Sequence, residues 1–343
     1  MKSTLLALSL LLTGVLSAAP APIVSSPAPY PPDTKSSIER LDPALDGLIA
    51  TDAVIENLGS GFNWSEGPVW EPKQGALLFS DVPENRVYRW KDGEGISVFL
   101  EPSGFTGTVY TGRESGSNGL TLDAQGRLVL CQHGDRRVAR LAADGKGFET
   151  IVDRHQGQRF SSPNDLCYDR AGNLFFTDPP YGLPADAKPE TKFNGVYRLG
   201  ADGQLTVIAS ELARPNGVAL SVDEQTLYVA SSEGKEPFIK AYALKADGTV
   251  ASSRIFFDGS ELKARTGRRG AFDGLRVDGQ GNIWTTGPGG ILIISPEGKH
   301  LGSILTGRAT ANCTFGDSDH MTLYLTADEA LLRVRTKVKG AGR

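Results

Sequence analysis

The chain has only three cysteines in 343 residues, Cys131, Cys167 and Cys313. None belongs to a CxxC pair or to a Cys/His spacing, which excludes a zinc-finger or iron–sulfur scaffold. Each lies in or beside a different apolar run, so all three are expected as buried, unpaired thiols. Charge is also scarce. Charged residues make up 22% of the chain, the formal net charge is −4, and no basic run precedes the C-terminal tail, so the chain lacks the electrostatic footprint of a nucleic-acid binder. Long apolar runs are missing except from Leu5 to Leu16, about a dozen residues, too short to span a bilayer. With Met1-Lys2 before it and Leu16-Ser17-Ala18 after it, this run is expected to be a signal peptide over residues 1–18, cut after Ala18, so the chain is expected in the periplasm or outside the cell.

Glycine, by contrast, is plentiful at 41 residues, and it falls where tight turns between short strands would need it. The stretch PNDLCYDRAGNLFFTD from Pro163 contains a complete unit: a polar head, a short apolar run, an Asp-x-x-Gly turn and a second apolar strand. It recurs as SNGLTLDAQGRLVLCQ from Ser117, PNGVALSVDEQTLYVAS from Pro215 and FDGLRVDGQGNIWTTG from Phe272. Looser copies begin at Ser65 and Ala311. The six heads are Glu66, Asn118, Asn164, Asn216, Asp273 and Asn312, spaced by 52, 46, 52, 57 and 39 residues. That is about one four-stranded blade each, so the chain is expected to be all-β, a six-bladed β-propeller.

The run from Ala53 to Leu58 reads as an N-terminal strand that closes the last blade. Before it, residues 19–52 read as a Pro-rich linker and extension, with a helical turn starting at Asp42-Pro43; residues 53–338 read as the propeller and 339–343 as a tail. Three long polar connections, Glu101 to Gly116, Pro179 to Asn194 and Gly259 to Gly270, are placed around the mouth.

In a propeller the first strand of each blade lines the central channel, so six heads converge on one axis. Two carboxylates and four amides offer only oxygen donors, a set that suits Ca²⁺ better than Zn²⁺; Mg²⁺ and Mn²⁺ stay open, and Zn²⁺ is not excluded. Asn-Gly, Asn-Asp and Asp-Gly are also common turn dipeptides, so a single head is ambiguous. The set is less so, because every repeat presents a side-chain oxygen at the same phase. The turn aspartates Asp123, Asp169 and Asp278 read as structural.

Glu66-Gly67-Pro68-Val69-Trp70, Ser162-Pro163-Asn164-Asp165, Pro215-Asn216-Gly217 and Asp273-Gly274-Leu275, in this order, resemble the gluconolactonase and regucalcin family of calcium-dependent lactonases. Asp178-Pro179-Pro180-Tyr181-Gly182 resembles its bacterial gluconolactonase branch. The resemblance runs from Phe62 to Arg333 and implies a divalent ion held by Glu66, Asn164, Asn216 and Asp273, with Asp273 also the catalytic carboxylate. Animal members carry an Arg two residues before the Asn of the third repeat, where this chain has Ser162, so the sugar preference is open. Asn118, His133 and Tyr181 are the candidate substrate-binding residues.

The expected activity is metal-dependent opening of a sugar lactone or similar small lactone by a monomer, with no nucleic-acid partner and no membrane span. A phosphotriesterase-like metal hydrolase and a non-catalytic calcium- or partner-binding propeller are the alternatives.

Overall fold

The computed structural model describes residues 36–342 apart from 185 and 234–236. The signal-peptide segment and residues 19–35 of the linker lie outside the described residues.

Six sheets of four or five strands follow one another along the chain, with their inner strands paired antiparallel in chain order, and a two-stranded ribbon of Arg154–His155 and Gln158–Arg159 lies between the second and third. Their first strands are Ser65–Glu71, Ser117–Leu122, Leu166–Tyr168, Pro215–Leu220, Leu275–Val277 and Thr310–Gly316. Each touches the next, and the sixth touches the first, which closes a six-bladed propeller around a central channel. The strands form because alternating side chains pack between blades: Val129, Phe160, Leu166, Phe176 and Tyr197, for instance, share one apolar cluster between the second and third blades. Asp-x-x-Gly turns reverse the chain after three of the first strands. Asp123 Oδ1 accepts from the amides of Gln125 and Arg127 at 2.9 Å each, and Asp278 Oδ1 from Gln280 at 2.8 Å and Asn282 at 2.9 Å, the structural role expected of these residues.

Closure comes from the N-terminal side. Ile55–Ser60 is the outer strand of the sixth blade, with Ile55 opposite Val334 on Ala330–Arg335. The expected helical turn is a short 3-10 helix over Pro43–Gly47, capped by Asp42, whose side chain accepts the Ala44 amide at 2.8 Å. A strand at Ser37–Arg40 was not anticipated: it adds a fifth strand to the fifth blade, Ser37 opposite Leu305. Leu45 and Ile49 then bury against Trp284, Ile291 and Ile304, so residues 36–52 pack on the propeller. The final residues pack too, Gly340 bridging Asp278 and the Ala341 amide donating to Val277 at 2.9 Å. Among the described residues, no helix is long and apolar enough to cross a membrane.

Candidate active site

The backbone at the heads is irregular, and that irregularity aims the side chains. Strand register slips between Glu66 and Val69, between Ser117 and Leu120, between Pro215 and Val218, and between Thr310 and Asn312. In the third and fifth blades the ladder begins only after the head, at Leu166 and Leu275. A bulge frees a side chain from the two-residue alternation of the strand, so the heads can turn to the axis. The glycine after a head gives room for the neighbouring blade. A β-carbon on Gly67 would lie 2.0 Å from the Asn118 carbonyl oxygen, and one on Gly119 would lie 2.6 Å from that of Asn164.

Side-chain contacts join four of the heads in pairs. Asn312 Nδ2 is 3.5 Å from Glu66 Oε2, the Asn164 amide donates to Asn216 Oδ1, and Asn216 Nδ2 donates to Ser232 Oγ at 2.8 Å. Glu66, Asn118, Asn164, Asn216 and Asn312 are all buried. Burial drives the Glu66 carboxyl up to about 8, and burial together with the facing Glu66 charge holds Asp273 well above the usual carboxylate range. Among the described residues, Asp273 Oδ1 and Asn118 Oδ1 are buried with no hydrogen-bond partner.

His133 is fully buried beside this ring, with Nε2 3.2 Å from Asn164 Oδ1 and Nδ1 3.2 Å from a Glu114 carboxylate oxygen. Tyr181 lies beside Ser232, Asn216 and Asp273, under the Arg214 guanidinium at 5.8 Å; burial raises its hydroxyl to about 12, so it stays protonated at neutral pH. Ser162 holds this corner together. Its Oγ donates to the Pro179 carbonyl at 2.6 Å and accepts the Gly182 amide at 2.9 Å, which fixes the loop that carries Tyr181. The mouth connection 101–116 closes over it, with the Tyr110 hydroxyl donating to the Gly182 carbonyl. All seven expected site residues therefore share one region.

Three residues were missed. Asp165 is a third carboxylate near the ring and is wholly buried, Arg276 sits 3.6 Å from its Oδ2, and Glu114 backs His133. The signal for Asp165 was present: four repeats place glycine after the head, and the third places a carboxylate.

Comparison with known proteins agrees with this architecture. Residues 64–329 match the SMP-30/Gluconolactonase/LRE-like region. The chain belongs to that family. Among its curated relatives, a gluconolactonase of Zymomonas mobilis subsp. mobilis is 39% identical over 315 residues, covering 90% of this chain and 88% of that one. A pentonolactonase of Haloferax volcanii is 27% identical over 266 residues, 76% of this chain and 80% of its own length. Among solved structures of the SMP-30/gluconolactonase type, a gluconolactonase from Xanthomonas campestris superposes with a TM-score of 0.78 at 34% identity, covering 91% of this chain and 98% of that chain.

A resident cation can be tested against the donors this family member presents. Among the described residues no group of three or more His, Cys, Asp or Glu side chains is arranged to hold a metal, so any ion here would rest on two carboxylates completed by amides. The unpartnered Asp273 carboxylate oxygen, and the Glu66 charge that faces Asp273, fit a hard divalent cation. Asn216 Oδ1 accepts from Asn164 yet keeps a second lone pair, as a carbonyl oxygen does.

Proposed function

We propose that this chain is a cation-assisted hydrolase that opens a sugar lactone. The observation that carries the reading is the unpartnered Asp273 Oδ1, buried on the axis beside Glu66 in a ring of amide oxygens. The substrate class is supported by relatives that are a gluconolactonase and a pentonolactonase.

Glu66, Asn164, Asn216 and Asp273 are the residues that would hold the cation, Ca²⁺ before Mg²⁺, Mn²⁺ or Zn²⁺ by donor chemistry. When bound, it would polarise the lactone carbonyl and stabilise the negative charge that develops on its oxygen. Asp273 is the base: the carboxylate oxygen that it does not give to the cation accepts a proton from a water whose oxygen bonds the carbonyl carbon, and the proton goes on to the ring oxygen as the ring C–O bond breaks. Glu66 is a ligand. Asn118 presents an amide oxygen to substrate hydroxyls, Tyr181 a protonated phenol, and His133 orients Asn164 through its Nε2 contact. The product is a hydroxy acid.

Rates of glucono- and pentonolactone hydrolysis, with and without chelator, test the reading; turnover unchanged by exhaustive chelation contradicts the cation, and no turnover of any aldonolactone contradicts the substrate class. Export belongs to the same proposal. A mature N-terminus at Ala19 would support it, and an intact Met1 in the natural host would oppose it.

A further inference from the structure

Around the axis, Gly67, Gly119, Gly217 and Gly274 follow four of the six heads, and the third repeat alone puts a charged side chain there, Asp165. It is wholly buried. Its Oδ1 accepts the Leu166 amide at 2.9 Å and its Oδ2 faces the Val218 amide at 3.4 Å. The space exists because Gly119 has no side chain: a β-carbon there would lie 2.9 Å from Asp165 Oδ1. Arg276 reaches this carboxylate from the fifth blade, three residues after Asp273, with Nη1 3.6 Å from Oδ2 and donating to the Leu275 carbonyl at 2.8 Å. The same Arg276 lines a cavity of about 120 Å³ between the far ends of the first strands. The channel thus carries a vertical order of charge: Glu66 and Asp273 at the heads, Asp165 beside and below them, and Arg276 beyond.

We propose that Asp165 and Arg276 are positioning residues that set the cation affinity of the ring by opposed fixed charges. The proposal rests on the reading of Glu66, Asn164, Asn216 and Asp273 as a divalent-cation site. Asp165 is close enough for its charge to act on both Glu66 and Asp273. Between side chains this buried, charges act through an effective dielectric nearer 20 than 80, so a neighbour outside the ligand set still changes affinity. Asp165 raises the pull on a cation; Arg276 moderates it, keeping the third carboxylate compensated while the ring is empty. A purely structural Asp165, serving only the Leu166 and Val218 amides and the Asn312 side chain, would leave cation affinity alone.

Calorimetric titration of Ca²⁺ into chelator-treated full-length protein separates these readings, with thermal melts of each variant as the folding check. Asp165→Asn keeps the size and one acceptor oxygen and is expected to weaken Ca²⁺ binding about tenfold or more. Arg276→Met is expected to tighten it by a similar factor. The double variant, whose channel charge equals the parent's, is expected to return to within about threefold of the parent, and it serves where Arg276→Met alone fails to fold. Unchanged affinity in Asp165→Asn, or a double variant as weak as that single one, overturns the proposal. A parent that binds no divalent cation overturns instead the cation site beneath it.

Discussion

The backbone amide of Gly217 donates to the carbonyl oxygen of Asp273 at 3.0 Å, and a β-carbon on Gly217 would lie 2.1 Å from that same oxygen. The contact joins the fourth and fifth blades at the axis, and it ties the position of Asp273, the proposed base, to the absence of a side chain one blade away. Gly217→Ala is therefore expected to force the two inner strands apart and to cost about 1–3 kcal/mol, the range for overpacking. Activity should fall as well, because Asp273 moves with its strand. Gly47→Ala is the control, since nothing lies within 4 Å of a β-carbon there. Urea denaturation and lactone hydrolysis of both variants check this; equal stability of the two would show that the ring accommodates the methyl group.

Asp273→Asn keeps an oxygen and the volume but removes a negative charge and the proposed base. Hydrolysis at saturating Ca²⁺ is expected to drop at least about 10²-fold. Asn312→Ala deletes an amide 3.5 Å from Glu66 but no carboxylate, and a smaller loss is expected. Parent-like turnover by Asp273→Asn would rule out its role as base.

Asp178 supplies a pH dependence of stability. Its carboxylate accepts the Ser161 and Ser162 amides at 2.9 and 2.7 Å, yet burial pushes it up to about 7. In the unfolded chain it titrates near about 3.9. Between those values the native state holds a proton that the unfolded state has released. Stability from this group is thus complete below about pH 4 and is lost as pH rises through 7, at up to about 1.4 kcal/mol per pH unit. Asp178→Asn should flatten that slope, and denaturation free energies of parent and variant from pH 4.5 to 7.5 measure the difference. Parallel curves would refute the assignment.

Cys131, Cys167 and Cys313 are unpaired and lie in three different blades. Burial raises every one of these thiols, Cys313 to about 12, so none is a ready nucleophile. Thiol titration of denatured, unreduced protein should find three; a count of one would mean a disulfide.

The blade count, the third strands such as Arg86–Lys91 and Gly195–Leu199, and the Asp-x-x-Gly turns were legible in the sequence because each depends on neighbours a few residues away. The heads were legible as a set, since Glu66, Asn118, Asn164, Asn216, Asp273 and Asn312 recur at one phase of the repeat. What each head touches was decided only when the ring closed. The Asn-Gly and Asp-Gly pairs look like turn signals along the chain, but the structure uses their glycines for close approach between blades. Asp165 occupies a glycine position and looks like part of an Asn-Asp turn; it becomes an axial charge because Gly119 and Arg276, from two other blades, leave it space and a partner. The strand at Ser37–Arg40 has weak local character and exists because the outer edge of the fifth blade offers it hydrogen bonds. Local pattern determined the strands and their repeat, because backbone geometry and turn chemistry act over a few residues. Contacts between blades determined the site, from Asn164 with Asn216 in the next blade to Glu66 with Asn312 across the closure, because only closure brings six separate strand beginnings to one axis.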